Sequence, residues 1–313
     1  MRHTQRHSLG RGLVYAMLLM GLVGCAHFDR QTPGWEVLAQ PEAGQPGSGL
    51  YYEESGQGDP ILLIHGFGAN LYTWRYIIPA LSRHHHVIAV DLKGFGNSPK
   101  PSEGNYTAYD QARLVYRLIQ EKNLRNLTII GHSFGGGVAL VTSAYLAEHD
   151  PERQKNLVLI DSASYLQPMP WFIDILATPV LGPLTAWLLP DEVQTHKVLE
   201  LAYHNPDVIP VTAVAAYARP LAMPGGKHAT IMTARQSVPS DIDALTLKYR
   251  NIKVPTLILW GDDDKIVPLI SGKRLHEDLP NSAIVVFESC GHIPQEEMPL
   301  ATQSAIEGFL SRH

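Results

Sequence analysis

Six short apolar runs divide the chain: Ile61–Ile64, Val87–Val90, Leu127–Ile130, Leu157–Ile160, Thr256–Trp260 and Ile284–Phe287. They are continuous rather than alternating, the pattern of strands buried on both faces. Longer stretches of helical periodicity lie between them, among them Tyr109–Glu121 and Gly136–Glu148. Such alternation predicts an α/β fold, with a mostly parallel central sheet and helices on both faces. Tyr51–Glu54 reads as an earlier, more exposed antiparallel strand.

The rhythm breaks once. No convincing strand lies between Ile160 and Thr256, and residues from about Tyr165 to Arg250 are rich in Pro, Leu, Ala and aromatic side chains. An unstructured loop of that length is improbable inside a compact domain. The expectation is a helical cap over 165–250, inserted in a core built from 49–164 and 251–313.

The chemistry-bearing residues follow the strands. Gly131-His132-Ser133-Phe134-Gly135 fits G-x-S-x-G directly after the run Leu127–Ile130 and directly before a helical pattern. This strand–turn–helix setting is what a nucleophile elbow requires: the turn is tight, and the hydroxyl projects at a helix N-terminus. A serine hydroxyl needs a base. The chain has 15 histidines, so position must choose among them. Ser289-Cys290-Gly291-His292 sits just after the last strand and is followed by Glu296, Glu297 and Pro299. Trp260-Gly261-Asp262-Asp263-Asp264 follows the preceding strand, and Val267-Pro268 comes shortly after. Asp161, at the end of Leu157–Ile160, is a second candidate acid. His65-Gly66-Phe67-Gly68 follows the first buried strand, and Asp91-Leu92-Lys93-Gly94-Phe95-Gly96-Asn97-Ser98 follows the second.

Taken in order, these motifs resemble those of the α/β-hydrolase superfamily over about Leu50 to Leu310. The resemblance implies a Ser–His–Asp triad. Ser133 is the nucleophile, His292 the base of the final loop, and Asp264 the acid of a W-G-x-x-D-x-x-x-P stretch. It implies an oxyanion hole made by the backbone N–H groups of Phe67 and Phe134, with His65 holding the loop. The Asp91 turn reads as structural. The run His84, His85 and His86 looks metal-like, but neighbouring side chains of an extended segment point in alternating directions and do not share one ion. The reaction so read uses no cofactor and no metal.

Ser133 at the elbow argues against haloalkane dehalogenases and epoxide hydrolases of this superfamily, which carry Asp there. Carbon–carbon bond hydrolases carry a G-P-G-A-like oxyanion loop, whereas this chain has Gly66-Phe67-Gly68-Ala69-Asn70 without the proline. Cofactor-free perhydrolases share the triad. Hydrolysis of a small-molecule carboxylic ester is the expected activity, with carbon–carbon hydrolysis or perhydrolysis as alternatives. A non-catalytic lipid-anchored binding protein is the alternative from another class. The apolar stretches Trp171–Leu176 and Trp187–Leu189, with the loop around Trp74, are expected to shape a pocket for an apolar acyl or aromatic group.

The N-terminus reads as a targeting segment. Arg2, Arg6 and Arg11 precede an apolar run of 11 residues, Leu13–Val23, too short to span a bilayer comfortably. Leu22-Val23-Gly24-Cys25 resembles the lipobox of bacterial lipoproteins, which implies a signal peptide over 1–24 and lipidation at Cys25. Pro33, Pro41 and Pro46 among Gly and Gln suit a tether over 25–48. Ala26 after the cysteine leans, by resemblance to enterobacterial sorting, toward the outer membrane. Cys290 is the only other cysteine and reads as a small buried side chain. The formal net charge of −5 and scattered basic residues give no footprint for nucleic acid. The oligomeric state is open.

Overall fold

Seven strands form one sheet in the computed structural model, which describes residues 35–39 and 47–313. They are β1 (Tyr52–Ser55), β2 (Pro60–Ile64), β3 (His86–Val90), β4 (Leu127–His132), β5 (Gln154–Ile160), β6 (Thr256–Gly261) and β7 (Ser282–Phe287). The spatial order is β1-β3-β2-β4-β5-β6-β7. β1 runs antiparallel to β3, and every other pairing is parallel. This is the expected α/β architecture, including the exposed antiparallel first strand.

The continuous apolar runs have a direct cause. Leu62 and Ile64 of β2 enter a core on one face of the sheet, while Ile61 and Leu63 enter the core on the other. A strand covered on both sides needs apolar residues at odd and even positions alike. β7 departs from the expectation. It pairs only with β6, and Val285 and Val286 are exposed. As an edge strand it is only partly covered on both faces, with Ile284 packed against one core and Phe287 in the other.

The helices in chain order begin with α1 (Ile78–Leu81), α2 (Ala108–Glu121) and α3 (Phe134–His149). Thr107 caps α2, its side chain accepting the N–H of Asp110. Between β5 and β6 lie α4 (Trp171–Ala177), α5 (Leu181–Leu188), α6 (Asp191–Ala202), α7 (Val211–Ala222), α8 (Gly226–Gln236) and α9 (Ile242–Leu247). The described residues of this interval contain no strand. Three of its prolines start helices, while Pro220 lies inside α7. Pro170, Pro190 and Pro210 stand at the N-caps of α4, α6 and α7, where no backbone N–H is needed. The chain closes with α10 (Leu269–Asp278), α11 (Pro294–Glu297) and α12 (Pro299–Leu310). α2 and α3 cover one face of the sheet; α1 and α12 cover the other.

The expectation of a tether over 25–48 does not hold for its described part. Trp35–Ala39 is a short 3-10 helix packed on α2, with Val37 and Leu38 buried. The Trp35 ring lies 5.6 Å from Tyr145 and accepts the Lys248 ammonium over its face at 4.3 Å. Composition averaged over the Pro- and Gly-rich segment hid three apolar side chains spaced to dock. The signal peptide expected over 1–24 and Cys25 lie outside the described residues.

Candidate active site

Ser133 joins the end of β4 to the start of α3 with φ 53° and ψ −122°, a conformation that L residues rarely adopt. Holding a residue there costs about 1–3 kcal/mol and requires support from its surroundings. That support is present. Ser133 N–H donates to the Ile160 carbonyl, and the Ser133 carbonyl accepts from Gly136, Gly137 and Ala163. The flanking glycines are needed for closeness. A Cβ on Gly135 would sit 2.3 Å from the His65 carbonyl oxygen, and one on Gly131 2.5 Å from that of Gly135.

Three loops at the carboxyl ends of strands converge here. Ser133 Oγ lies 2.8 Å from His292 Nε2, and His292 Nδ1 lies 2.7 Å from Asp264 Oδ2. All three residues are buried. The other oxygen of Asp264 accepts the N–H groups of Ile266 and Val267 at 2.8 and 2.9 Å, which fixes the carboxylate plane. His292 is fixed from its backbone: its N–H donates to the Ala202 carbonyl at 2.7 Å. A carboxylate on Nδ1 holds the proton there and leaves Nε2 free to accept the serine proton. The geometry can thus activate a serine hydroxyl.

Phe67 and Phe134 line the same cavity as Ser133. Phe134 is the first residue of α3, so its N–H has no acceptor inside the helix. Among the described residues, neither that N–H nor the one of Phe67 is taken by a protein acceptor. His65 holds the Phe67 loop from behind. Leu92 N–H can only donate, so His65 Nε2 accepts it at 2.9 Å, and Nδ1–H donates to the Gly66 carbonyl at 2.7 Å. Burial lowers the His65 pKa, in keeping with a neutral ring. Asp91 receives the N–H groups of Leu71 and Asn97 and ties its turn together, as the sequence suggests. His86 turns to Glu54 at 2.9 Å, away from any shared histidine site. Cys290 is fully buried, and burial pushes its thiol pKa up.

Three features escape the sequence. His132 Nε2 lies 2.7 Å from the His292 carbonyl oxygen, so the residue before the nucleophile pins the loop of the base. Burial, with His292 nearby, holds the His132 pKa well below its usual value, and the neutral ring donates. Asp161 lies beside Asp264, with oxygens and the His292 nitrogen all within 4.8 Å. Its Oδ1 accepts the Gly261 N–H. Burial first, then the Asp264 charge, raises the Asp161 pKa well above the carboxylate range. Glu296 is the third. One oxygen accepts from Thr73 at 2.8 Å and from Tyr217; the other accepts from Arg75 at 2.8 Å and Tyr203 at 2.9 Å. This buried cluster bolts α7 and the end of α6 to the loop that carries His292.

The triad opens into a cavity of about 330 Å³. Phe67, Met169, Phe172, Ile173, Leu176, Val198 and Ile266 line it, with Tyr217 and Glu296 at its polar side. Trp171–Leu176 contributes as expected. Trp74 does not: it is 0% exposed and packs in the core beside Ile77, and its neighbour Thr73 reaches the cavity instead. Leu189 lines the cavity, but Trp187 and Leu188 face outward, 72% and 71% exposed.

Comparison with known proteins adds a family. The family model for the alpha/beta hydrolase fold matches residues 59–203 and 224–299. The chain is 30% identical over 319 residues to Lipase 1 of Psychrobacter immobilis, covering 95% of both chains. It is 31% identical over 267 residues to the 2-hydroxy-6-oxo-6-(2'-aminophenyl)hexa-2,4-dienoic acid hydrolase of Metapseudomonas resinovorans, covering 83% of this chain and 87% of that one. Among solved structures, the meta-cleavage product hydrolase CumD from Pseudomonas fluorescens IP01 matches with a TM-score of 0.72 and 26% identity, over 85% of this chain and 96% of the other.

Proposed function

The chain belongs to the alpha/beta hydrolase fold family and is a hydrolase; from that premise we propose that it cleaves carboxylic esters of apolar acids through an acyl-enzyme on Ser133. The observation that carries this reading is the hydrogen-bonded series Ser133–His292–Asp264 opening onto an apolar cavity. Ser133 Oγ attacks the ester carbonyl as His292 Nε2 takes its proton. The N–H groups of Phe67 and Phe134 receive the developing oxyanion. His292 then delivers the proton to the departing alcohol. Water enters, gives a proton to His292 and splits the acyl-enzyme, returning Ser133 and a free acid. Residues 165–250 act as a cap that excludes water and gives the acyl group an apolar surface.

Carbon–carbon hydrolysis is the second reading, because a relative of that activity is as similar as the lipase. The cavity favours the ester. The relative's substrate is an acid, and the two lysines lining this cavity, which would favour a carboxylate, are engaged with acids. Lys227 pairs with Asp191 at 2.8 Å and Lys197 with Glu200 at 2.6 Å.

A substrate screen tests this. With p-nitrophenyl esters from acetate upward, kcat/KM is expected to rise about fourfold per methylene, from ~0.8 kcal/mol per buried CH2, until the cavity is full. Activity confined to acetate would remove the apolar-acyl reading. Cleavage of a vinylogous 1,5-diketone with no ester turnover would hand the site to carbon–carbon hydrolysis.

We also propose that Cys25 carries a lipid anchor at a bacterial envelope membrane, on the periplasmic or surface side, with the outer membrane as the preferred site. The support is the order of Arg2, Arg6 and Arg11, the run Leu13–Val23 and Gly24-Cys25 in the sequence. Cys25→Ser is expected to abolish incorporation of labelled palmitate and to block processing of the precursor. Unchanged labelling in that variant would refute the anchor.

A further inference from the structure

The outer side of α4 and α5 is apolar, and beyond the Lys227 ammonium over the Trp187 ring at 5.2 Å it is largely open to solvent. From Tyr165 through Leu189 the sequence carries a single charged residue, Asp174. Trp171, Val180, Leu181, Leu184, Trp187 and Leu188 are all exposed there. Single exposed apolar side chains need no explanation, but a run of them on two consecutive helices does. The inner side of the same pair is spoken for: Phe172, Ile173 and Ala186 are buried against α8 and the cavity. The pair is therefore apolar on both sides, with only one side covered.

The pair does not cross a bilayer. Helices of seven and eight residues are about 10–12 Å long, and they meet at a bend of 108°. A hydrocarbon core is about 30 Å thick. Short apolar helices with tryptophan on their free side lie in the interface instead.

We propose that the outer face of α4 and α5 docks on the surface of a phospholipid bilayer, with Trp171 and Trp187 seated at headgroup level. The partner is the apolar interface itself rather than anionic headgroups, because Lys227, whose ammonium stands over the Trp187 ring, is already paired with Asp191. Chain length supports the same partner. Nine residues, Ala26 to Gly34, separate the anchor proposed at Cys25 from Trp35, which is fixed on the folded domain. Fully extended they reach about 35 Å, so a lipid on Cys25 keeps the folded domain close to the membrane surface. Docking sets the cavity mouth, rimmed by Trp171 and Leu189, against acyl chains. This deepens the ester reading by making membrane lipid the source of substrate, and it rests on that reading for the substrate alone.

Tryptophan emission tests the contact without relying on turnover. Trp74 and Trp260 are fully buried, and with half-buried Trp35 replaced by phenylalanine (Trp35→Phe in every protein compared) Trp171 and Trp187 are the exposed reporters. The full-length chain carrying Ser133→Ala, so that lipid is not consumed, is bound to phosphatidylcholine vesicles with brominated or ordinary acyl chains. Brominated lipid is expected to quench the emission, and adding Trp187→Phe to remove most of the quenching. Adding Leu184→Asp and Leu188→Asp is expected to abolish quenching while the chain stays on the vesicles through its N-terminal segment. Absence of quenching in the vesicle-bound chain overturns the proposal, as does quenching that survives the two aspartates. A dimer in solution that those aspartates dissociate, without quenching, would assign the face to a second copy. With Ser133 intact, the Leu184→Asp/Leu188→Asp variant should keep its activity on soluble p-nitrophenyl butyrate, which shows that it folds. An inactive wild type that is still quenched would sink the ester reading and leave the docking standing.

Discussion

Ser133→Ala is expected to lower kcat on p-nitrophenyl butyrate by about 10⁶-fold and to end labelling by a fluorophosphonate. The magnitude follows from what remains. Phe67 and Phe134 N–H groups and the cavity walls are untouched, so substrate still binds. The residual rate over water is that of an oxyanion site without a nucleophile, about 10³–10⁴-fold. His292 could in principle activate a water in the space Oγ vacates, but that water lacks the covalent tether that aims Oγ at the carbonyl. Alanine tolerates the φ of 53° about as well as serine does, and the backbone bonds from Ile160, Gly136, Gly137 and Ala163 do not involve the side chain. The variant should therefore melt within a few degrees of the wild type. An equal rate of labelling in both proteins would remove Ser133 from the chemistry. A wild type that neither labels nor turns over any ester would favour the binding-protein alternative.

The legible part of this molecule is the part whose physics is local. A strand buried on both faces must be apolar at every position, so β2 to β6 could be read from composition alone. The elbow needs glycine at 131 and 135 because carbonyl oxygens stand where side chains would go, and that need is written into a five-residue motif. Trp35–Ala39 could not be read in this way. Its docking depends on Tyr145 and Lys248, more than one hundred residues away, and local composition points to a tether instead. The same limit applies to Glu296. It stands out in the sequence only as one of two adjacent acids, yet its four partners come from 73, 75, 203 and 217. His132 occupies the unspecified position of G-x-S-x-G, and its bond to the His292 carbonyl spans 160 residues. Trp74 and Trp187 show the converse error. Aromatic residues near a site invite a pocket role, but one fills the sheet core and the other faces out. Which side of a helix meets the cavity depends on packing that periodicity does not resolve in a segment apolar all round.

Asp264→Asn should lower kcat by about 10⁴-fold while leaving KM close to that of the wild type. The two oxygens of Asp264 do different things, and asparagine can imitate only one of them. Its carbonyl oxygen can keep the N–H groups of Ile266 and Val267, now on Oδ1. The amide NH2 must then face His292 Nδ1 where Oδ2 stood. A donor there makes Nδ1 the acceptor and moves the ring proton to Nε2. His292 Nε2–H cannot accept from Ser133 Oγ, so the base is lost although every heavy atom stays in place. Asp161 is the internal control. It is buried beside Asp264, its pKa is raised by burial and by that charge, and it makes no bond to His292. Asp161→Asn keeps an acceptor for the Gly261 N–H, and burial with the Asp264 charge already disfavours the ionised form of the acid it replaces. Its kcat should fall only a few-fold. A 10⁴-fold loss in Asp161→Asn with a mild effect in Asp264→Asn would reverse the two acids. Comparable losses in both would show that the pair shares one functional charge, with the proton on Asp161 holding Asp264 in the ionised state that His292 requires.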